Sequence, residues 1–131
     1  MIGLDTNILV RFFAKDDIQQ SVRAKTLLGS LTPDQPGWIG VATLLELVWV
    51  MSSQFRVGRA GIEEILEELL SSGGIHIEQS EVVERTLQQF RMGKADFADC
   101  LIASSAKAAG CTKTVTFDRI AARDAGMELA D

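Results

Sequence analysis

The chain has 131 residues, of which 47% are hydrophobic, and a formal net charge of −5 at pH 7. This length suits a single domain, residues 1–131, and the composition excludes a disordered chain and a basic nucleic-acid coat protein, though not a nuclease. No apolar run can span a bilayer, and the first residues lack the basic-then-apolar pattern of a secretion signal, so we expect a cytoplasmic protein without membrane contact.

The first half of the sequence predicts short apolar strands alternating with helices. Two prolines and a glycine within residues 32–37 predict a loop, because these residues cannot continue a helix or a strand. Apolar spacing of i, i+3, i+4, i+7 and i+8, from Ile62 to Leu70, predicts an amphipathic helix over 59–70. In chain order we expect a buried strand at 1–4, helices at 7–14 and 17–28, a strand at 38–41 leading into a helix that carries Glu46, the helix at 59–70 and a strand at 75–77.

The second half continues this alternation. Gly93 and Gly110 are expected to end the two longer helices. The predicted elements are helices at 81–92 and 96–109, a strand at 114–117, a helix at 119–125 and a strand at 127–129. Alternating strands and helices predict an α/β fold with a parallel sheet covered on both faces, in which ligands bind beyond the carboxyl ends of the strands.

Several single residues carry expectations about packing. Cys100 and Cys111 form no metal-binding pattern and are expected to be small buried residues in a reducing compartment. His76 is expected to face solvent, and Ile18 and Val22 are expected to face inward from their helix. The phenylalanines and tryptophans mostly fit the core, which argues against base stacking on exposed aromatic rings.

Glu46 is the only charged residue between Val41 and Phe55, and Thr43 is the only other polar residue in the run 41–51. Burying a carboxylate is costly unless it is paired, hydrogen-bonded or bound to a cation. Glu46 is therefore a candidate for chemistry. The alternative is that it points outward from a narrow polar face of its helix.

Aspartates follow or begin several other apolar elements. Asp5 follows the first strand, Asp96 and Asp99 stand at the start of a helix, and Asp118 follows the strand at 114–117. One divalent cation held by several of these carboxylates would neutralise them together with Glu46. Each aspartate also has an ordinary explanation as a helix N-cap, and this alternative stays open.

Polar and basic residues beside these acids suggest supporting roles. Thr6 and Asn7 are positioned to orient Asp5, and Thr116 to offer a hydroxyl near Asp118, although Thr6 could simply cap a helix and Thr116 is also an ordinary β-branched strand residue. A substrate that carries phosphate groups would need cationic contacts. The candidate phosphate contacts are Arg11, Lys15, Lys94 and Arg119, and the alternative for each is an ordinary solvated side chain.

Four segments together resemble the PIN domain and, more narrowly, the VapC-type toxin ribonucleases of bacterial VapBC toxin–antitoxin pairs. The resemblance implies a three-layer α/β/α fold with a central parallel β-sheet. It also implies an endoribonuclease that depends on Mg²⁺ or Mn²⁺, forms a homodimer and is inhibited by a cognate antitoxin protein. The segments are Met1–Leu9, Leu44–Val50, Ala95–Ala103 and Thr116–Asp118.

The resemblance places the acidic quartet of the family on Asp5, Glu46, Asp99 and Asp118. Asp96 is an additional acid, either a ligand through water or only a cap. Oxygen ligands suit Mg²⁺ and Mn²⁺, and water activated by the cation would attack the RNA phosphorus without a protein nucleophile. The resemblance implies products with a 5′-phosphate and a 3′-hydroxyl.

Two other functions compete with this interpretation. In a non-catalytic interaction module, the acids would serve as helix caps and the apolar helices would contact partners. In a phosphotransfer domain, Asp5 would be the nucleophile. The sequence disfavours the second, because Asn7 replaces the second aspartate of the D-x-D pattern of such phosphatases and Leu4 leaves no acid pair at the first strand.

Overall fold

A computed structural model describes residues 1–130 of the chain. These residues contain seven helices and five strands, and they fall into two compact units, Met1–Glu78 and a second that begins at Gln79. Every paired strand runs parallel to its neighbour, which confirms the predicted α/β class with parallel strands. None of the helices described within residues 1–130 combines the length and apolar character needed to cross a membrane.

The first unit is a three-stranded parallel sheet with four helices. The sheet order is β1-β2-β3, with Ile2 opposite Gly37 and Trp38 opposite His76. Helices make both crossovers, as parallel strands require. The elements are β1 (Ile2–Gly3), α1 (Thr6–Ala14), α2 (Ile18–Gly29), β2 (Gly37–Ile39), α3 (Val41–Ser53), α4 (Arg59–Ser71) and β3 (Ile75–Ile77).

The core of the first unit is aliphatic. The predicted inner face of α4 is confirmed at i, i+3, i+4 and i+7, which are all buried, whereas Leu70 at i+8 is only half-buried. Leu9 of α1 and the side chains of α3 that lie one helical turn apart complete this core. The buried residues of these two helices are Ile62, Ile65, Leu66 and Leu69 of α4 and Leu44, Leu47 and Met51 of α3.

Two packing predictions for the first unit are wrong. Ile18 and Val22 are 77% and 58% exposed, and the buried residue of α2 is Ala24, a small side chain facing the neighbouring α1. Of residues 1–4, predicted to be a buried strand, only Leu4 is buried, and it lies just after β1. Large apolar residues at an i, i+4 spacing therefore do not identify the inner face of α2.

The second unit is built around two consecutive helices, α5 and α6, which pack against each other. Val83, Leu87 and Phe90 are buried, and the rings of Phe90 and Phe97 pack in a T-shaped arrangement at a centroid distance of 6.0 Å. The parallel strands β4 and β5 pair Val115 with Glu128. The elements are α5 (Ser80–Met92), α6 (Phe97–Ala108), β4 (Val115–Thr116), α7 (Arg119–Asp124) and β5 (Glu128–Leu129).

The expectations for cysteines and aromatic residues are only partly met. Cys100 is buried, but Cys111 is exposed because it lies beyond the end of α6, after Gly110. Phe117 is 86% exposed in the turn after β4, and Trp49 is 62% exposed on α3. His76 is exposed, as predicted.

Candidate active site

Asp5 lies where β1 ends and α1 begins. Its carboxylate Oδ1 accepts a hydrogen bond of 2.7 Å from the backbone N–H of Thr6, so Asp5 is the N-cap of α1. Thr6 is buried, whereas Asn7 is exposed and makes no hydrogen bond to Asp5 in the described structure. The backbone N–H of Thr6 therefore holds the carboxylate of Asp5.

The start of α3 fixes the position of Glu46. The N-cap residue Gly40 has no side chain to bond, and Glu78, directly after β3, supplies the acceptor. Its Oε1 accepts a hydrogen bond of 2.9 Å from the N–H of Val41. A carboxylate at a helix N-terminus also interacts favourably with the helix dipole. Glu46 follows in the second turn, about 7.5 Å along the helix axis from Val41 at 1.5 Å per residue.

Glu46 is exposed, which corrects the premise that its carboxylate must be buried. It shares the exposed side of α3 with Trp49, three residues later. Within residues 1–130 its carboxylate makes no hydrogen bond or ion pair. The burial of Glu46 therefore cannot be used to argue for a role in chemistry. However, no hydrogen bond or ion pair of its carboxylate explains why a glutamate stands in this apolar helix.

Asp96 is the N-cap of α6, as the capping alternative predicted. Its Oδ1 accepts a hydrogen bond of 2.8 Å from the backbone N–H of Asp99. Asp99 follows in the first turn of α6 and is half-buried. The cap thus brings the backbone of one acid to the carboxylate of the other.

Asp118 connects β4 to α7 and is held at both its backbone and its side chain. Its N–H donates a hydrogen bond of 3.0 Å to the Thr116 hydroxyl oxygen. Its carboxylate Oδ1 accepts hydrogen bonds from the N–H groups of Ile120 at 2.8 Å and Ala121 at 3.0 Å. The hydroxyl of Thr116 therefore orients the turn that presents Asp118.

Capping does not use the full bonding capacity of these acids. Asp5, Asp96 and Asp118 all accept their capping hydrogen bonds through Oδ1. A carboxylate has a second oxygen and about four lone-pair sites in total. An aspartate can therefore cap a helix through one oxygen and offer the other to a cation, so the two roles are compatible.

The acids of the second unit interact electrostatically. The pKa of Asp99 is raised above its ordinary value, first by burial of its carboxyl group and then by the negative charges of Asp96 and Asp118. Like charges that disfavour ionisation in this way would be relieved by a bound cation. Three carboxylates are an oxygen-only donor set, which fits Mg²⁺ or Mn²⁺ chemically.

The carboxylate oxygens suit a divalent cation chemically, but their arrangement in this structure does not form a coordination site. Taken separately over the residues described up to 130, neither unit gathers three or more His, Cys, Asp or Glu side chains in an arrangement able to hold a metal ion. The carboxylates of Asp96, Asp99 and Asp118 are thus electrostatic neighbours without forming a closed coordination shell.

Sequence reasoning missed the residues that anchor the loop before α6. Asp124, at the end of α7, accepts a hydrogen bond of 2.9 Å from the backbone N–H of Lys94 through Oδ2. The Gln89 side-chain amide donates to the backbone carbonyl of Asp124 at 2.6 Å. A Cβ atom at Gly93 would lie only 2.7 Å from the Asp124 Cβ, so a glycine permits this close approach. The only signal in the sequence was Gly93 itself, interpreted as a helix stop.

The basic residues proposed for phosphate contact have different surroundings. Arg11 donates to Asp16 at 2.6 Å and to Gln20 at 2.9 Å. Lys15 is exposed and ends α1 in the left-handed conformation, with φ of 57°. Lys94 is exposed in the anchored loop, and Arg119 is exposed at the first position of α7.

Comparison with known proteins identifies the family. The PIN domain family matches residues 2–126, which is nearly the whole chain. No curated protein matched the sequence. PIN domains are generally metal-dependent nucleases and typically use divalent metals. The match confirms the PIN-domain part of the resemblance seen in the four sequence segments, and the chain therefore belongs to the PIN domain family.

Proposed function

We propose that the chain is an endoribonuclease dependent on Mg²⁺ or Mn²⁺ and that residues 1–131 act as one nuclease domain. Asp5, Glu46, Asp99 and Asp118 would hold the cation. The observation that carries this proposal is the coupling of Asp99 to the like charge of Asp118 within a member of a nuclease family. An electrostatic cost of this kind is expected where carboxylates await a cation.

The residues around the quartet have supporting roles. The Thr6 N–H and the Thr116 hydroxyl fix Asp5 and Asp118, and Asp96 fixes the first turn that carries Asp99. Asn7, the next residue along α1, would support Asp5 through its side-chain amide. When bound, the cation would make water acidic enough to attack phosphorus and would offset charge on the phosphate oxygens.

RNA is the proposed substrate, cut to leave a 5′-phosphate and a 3′-hydroxyl. The backbone of RNA needs cationic contacts, which basic side chains close in sequence to the acids would supply. The proposed contacts are Arg11, Lys15, Lys94 and Arg119.

The biological role we propose is that of the toxin in a toxin–antitoxin pair. The chain would act in the cytoplasm as a homodimer and be held inactive by a cognate antitoxin protein. The support is the resemblance of the four segments to VapC-type ribonucleases. Expression without an antitoxin should arrest growth and generate new RNA ends with 5′-phosphates, which sequencing of RNA ends would locate. Normal growth with an unchanged set of ends would contradict the toxin role.

The nuclease assignment is tested by cleavage of structured RNA in Mn²⁺. Asp5→Asn and Glu46→Gln should each lower the cleavage rate about 100-fold, because each removes a charged ligand of the cation. Glu64→Gln is the matched control, since Glu64 is an exposed helical acid of the same unit outside the quartet. Equal cleavage by all four proteins would refute the assignment and favour an interaction module whose aspartates serve as caps.

A further inference from the structure

A polar groove of about 570 Å³ lies between α1 and α2 in the first unit. Asn7 and Arg11 line it from α1, one helical turn apart, and Gln20 and Arg23 line it from α2. Its lining also includes apolar residues, among them the buried Ala24. We refer to this feature as the α1–α2 groove.

The polar groups of the groove are mainly hydrogen-bond donors. Arg11 uses Nε to bond Gln20 Oε1 and Nη1 to bond Asp16, which leaves three of its five N–H donors for a ligand. Because Oε1 of Gln20 accepts from Arg11, the two N–H donors of that amide remain available. The two bonds to Arg11 also fix its guanidinium, so less side-chain entropy is lost when a ligand binds.

Arg23 adds a second cation to the groove. It is exposed, and in residues 1–130 it makes no ion pair or hydrogen bond. The lining contains no aspartate or glutamate. A groove with two guanidinium groups and few acceptors suits a ligand that carries negative charge and offers only acceptor oxygens, which describes a phosphodiester backbone.

We propose that the α1–α2 groove binds the RNA backbone next to the linkage that is cut, with Arg23 as the principal positioning residue. This inference rests on the proposed nuclease function. Asp5 caps the helix that forms one wall, and Arg11 lies about 9 Å from Asp5 along the helix axis at 1.5 Å per residue. The groove lining extends to Asn7, two residues from Asp5 in sequence, which favours RNA over an acidic protein segment as the ligand.

The test measures binding and cleavage separately. In EDTA, where no cleavage is expected, Arg23→Ala should weaken binding of a single-stranded RNA about tenfold. It should also reduce the slope of the logarithm of the binding constant against the logarithm of salt concentration by about one, as expected for the loss of one phosphate contact. In Mn²⁺ the same variant should raise KM with little change in kcat, because it removes ground-state binding only. Lys25→Ala is the matched control, since Lys25 is an exposed cation on α2 outside the groove.

The outcomes distinguish this inference from the proposed function. Equal RNA affinity of Arg23→Ala, Lys25→Ala and the wild type would overturn the groove assignment, even if the wild type cleaves RNA. Arg23-dependent binding by a wild type that never cleaves would support the groove and refute the nuclease. If Arg23→Glu loses a co-purified protein partner while RNA affinity is unchanged, the groove binds protein and the RNA inference fails.

Discussion

The two units present their acids in different ways. In the second unit, Asp96 and Asp118 cap helices, and the charges of both act on Asp99. In the first unit, Asp5 also caps a helix, but Glu46 lies within α3 and makes no local bond in the described residues. An acid at a helix start can be explained by capping alone, even if it also takes part in chemistry, whereas an acid within a helix has no capping role. Mutations must therefore separate charge from capping.

The largest expected effect comes from removing the charge of Asp118 while keeping its cap. Asparagine caps helices about as well as aspartate, so Asp118→Asn should lower RNA cleavage about 100-fold with little change in stability. Asp118→Ala should lose the same activity and also about 1 kcal/mol of unfolding free energy, because the N–H groups of Ile120 and Ala121 lose their acceptor. Cleavage rates and denaturant unfolding would measure the two effects.

Glu46→Gln completes this comparison in the first unit. It should lose activity like Asp118→Asn and leave the unfolding free energy unchanged, since the Glu46 carboxylate makes no bond in residues 1–130. If Asp118→Asn retained full activity while Asp118→Ala lost it, the cap alone would matter, and the distinction between the acids of the two units would disappear.

A second prediction concerns the anchored loop of the second unit. Gly93→Ala would place a Cβ 2.7 Å from the Asp124 Cβ, a distance that requires one of the two segments to move. Overpacking of this kind typically costs about 1–3 kcal/mol, which thermal or denaturant unfolding would detect. Gly29→Ala is the control, because nothing lies within 4 Å of its added Cβ. Equal stability of the two variants would show that Gly93 is not needed for the loop.

Local signals predicted most of the fold. The prolines within 32–37 mark the break before β2, although Gly37 itself begins that strand, and the buried face of α4 follows directly from its apolar spacing. Aspartates at helix starts were expected both as caps and as site residues, and three of them do cap helices.

Other features left little trace in the sequence. Glu78 and Asp124 accept backbone hydrogen bonds from residues 37 and 30 positions away, and neither bond follows a local pattern. α3 is apolar on nearly all sides, so its periodicity did not reveal that Glu46 and Trp49 share an exposed side. The inner face of α2 was mispredicted because a small residue, Ala24, makes the contact.

The smallest expected effect is a pH dependence of stability in the second unit. In EDTA, the raised pKa of Asp99 means that its neutral form is more favoured in the folded chain than in the unfolded chain. The resulting stabilisation is fully present below the ordinary value of 3.8 and is lost as pH rises through the higher folded pKa. The unfolding free energy of the wild type relative to Asp99→Asn should therefore fall as pH rises from about 4 and then level off, by a small amount because Asp99 is only half-buried.

Adding Mn²⁺ sharpens this test, because a cation held by the carboxylates offsets the repulsion that raises the pKa of Asp99. The pH-dependent difference between wild type and Asp99→Asn should shrink, and the melting temperature of the wild type should rise relative to EDTA. Asp34→Asn serves as the control, since Asp34 is an exposed loop residue outside the quartet. If the melting temperature of the wild type is identical in EDTA and in excess Mn²⁺, the coupled acids of the second unit do not bind a cation. Their mutual repulsion would then be explained by capping of helices alone.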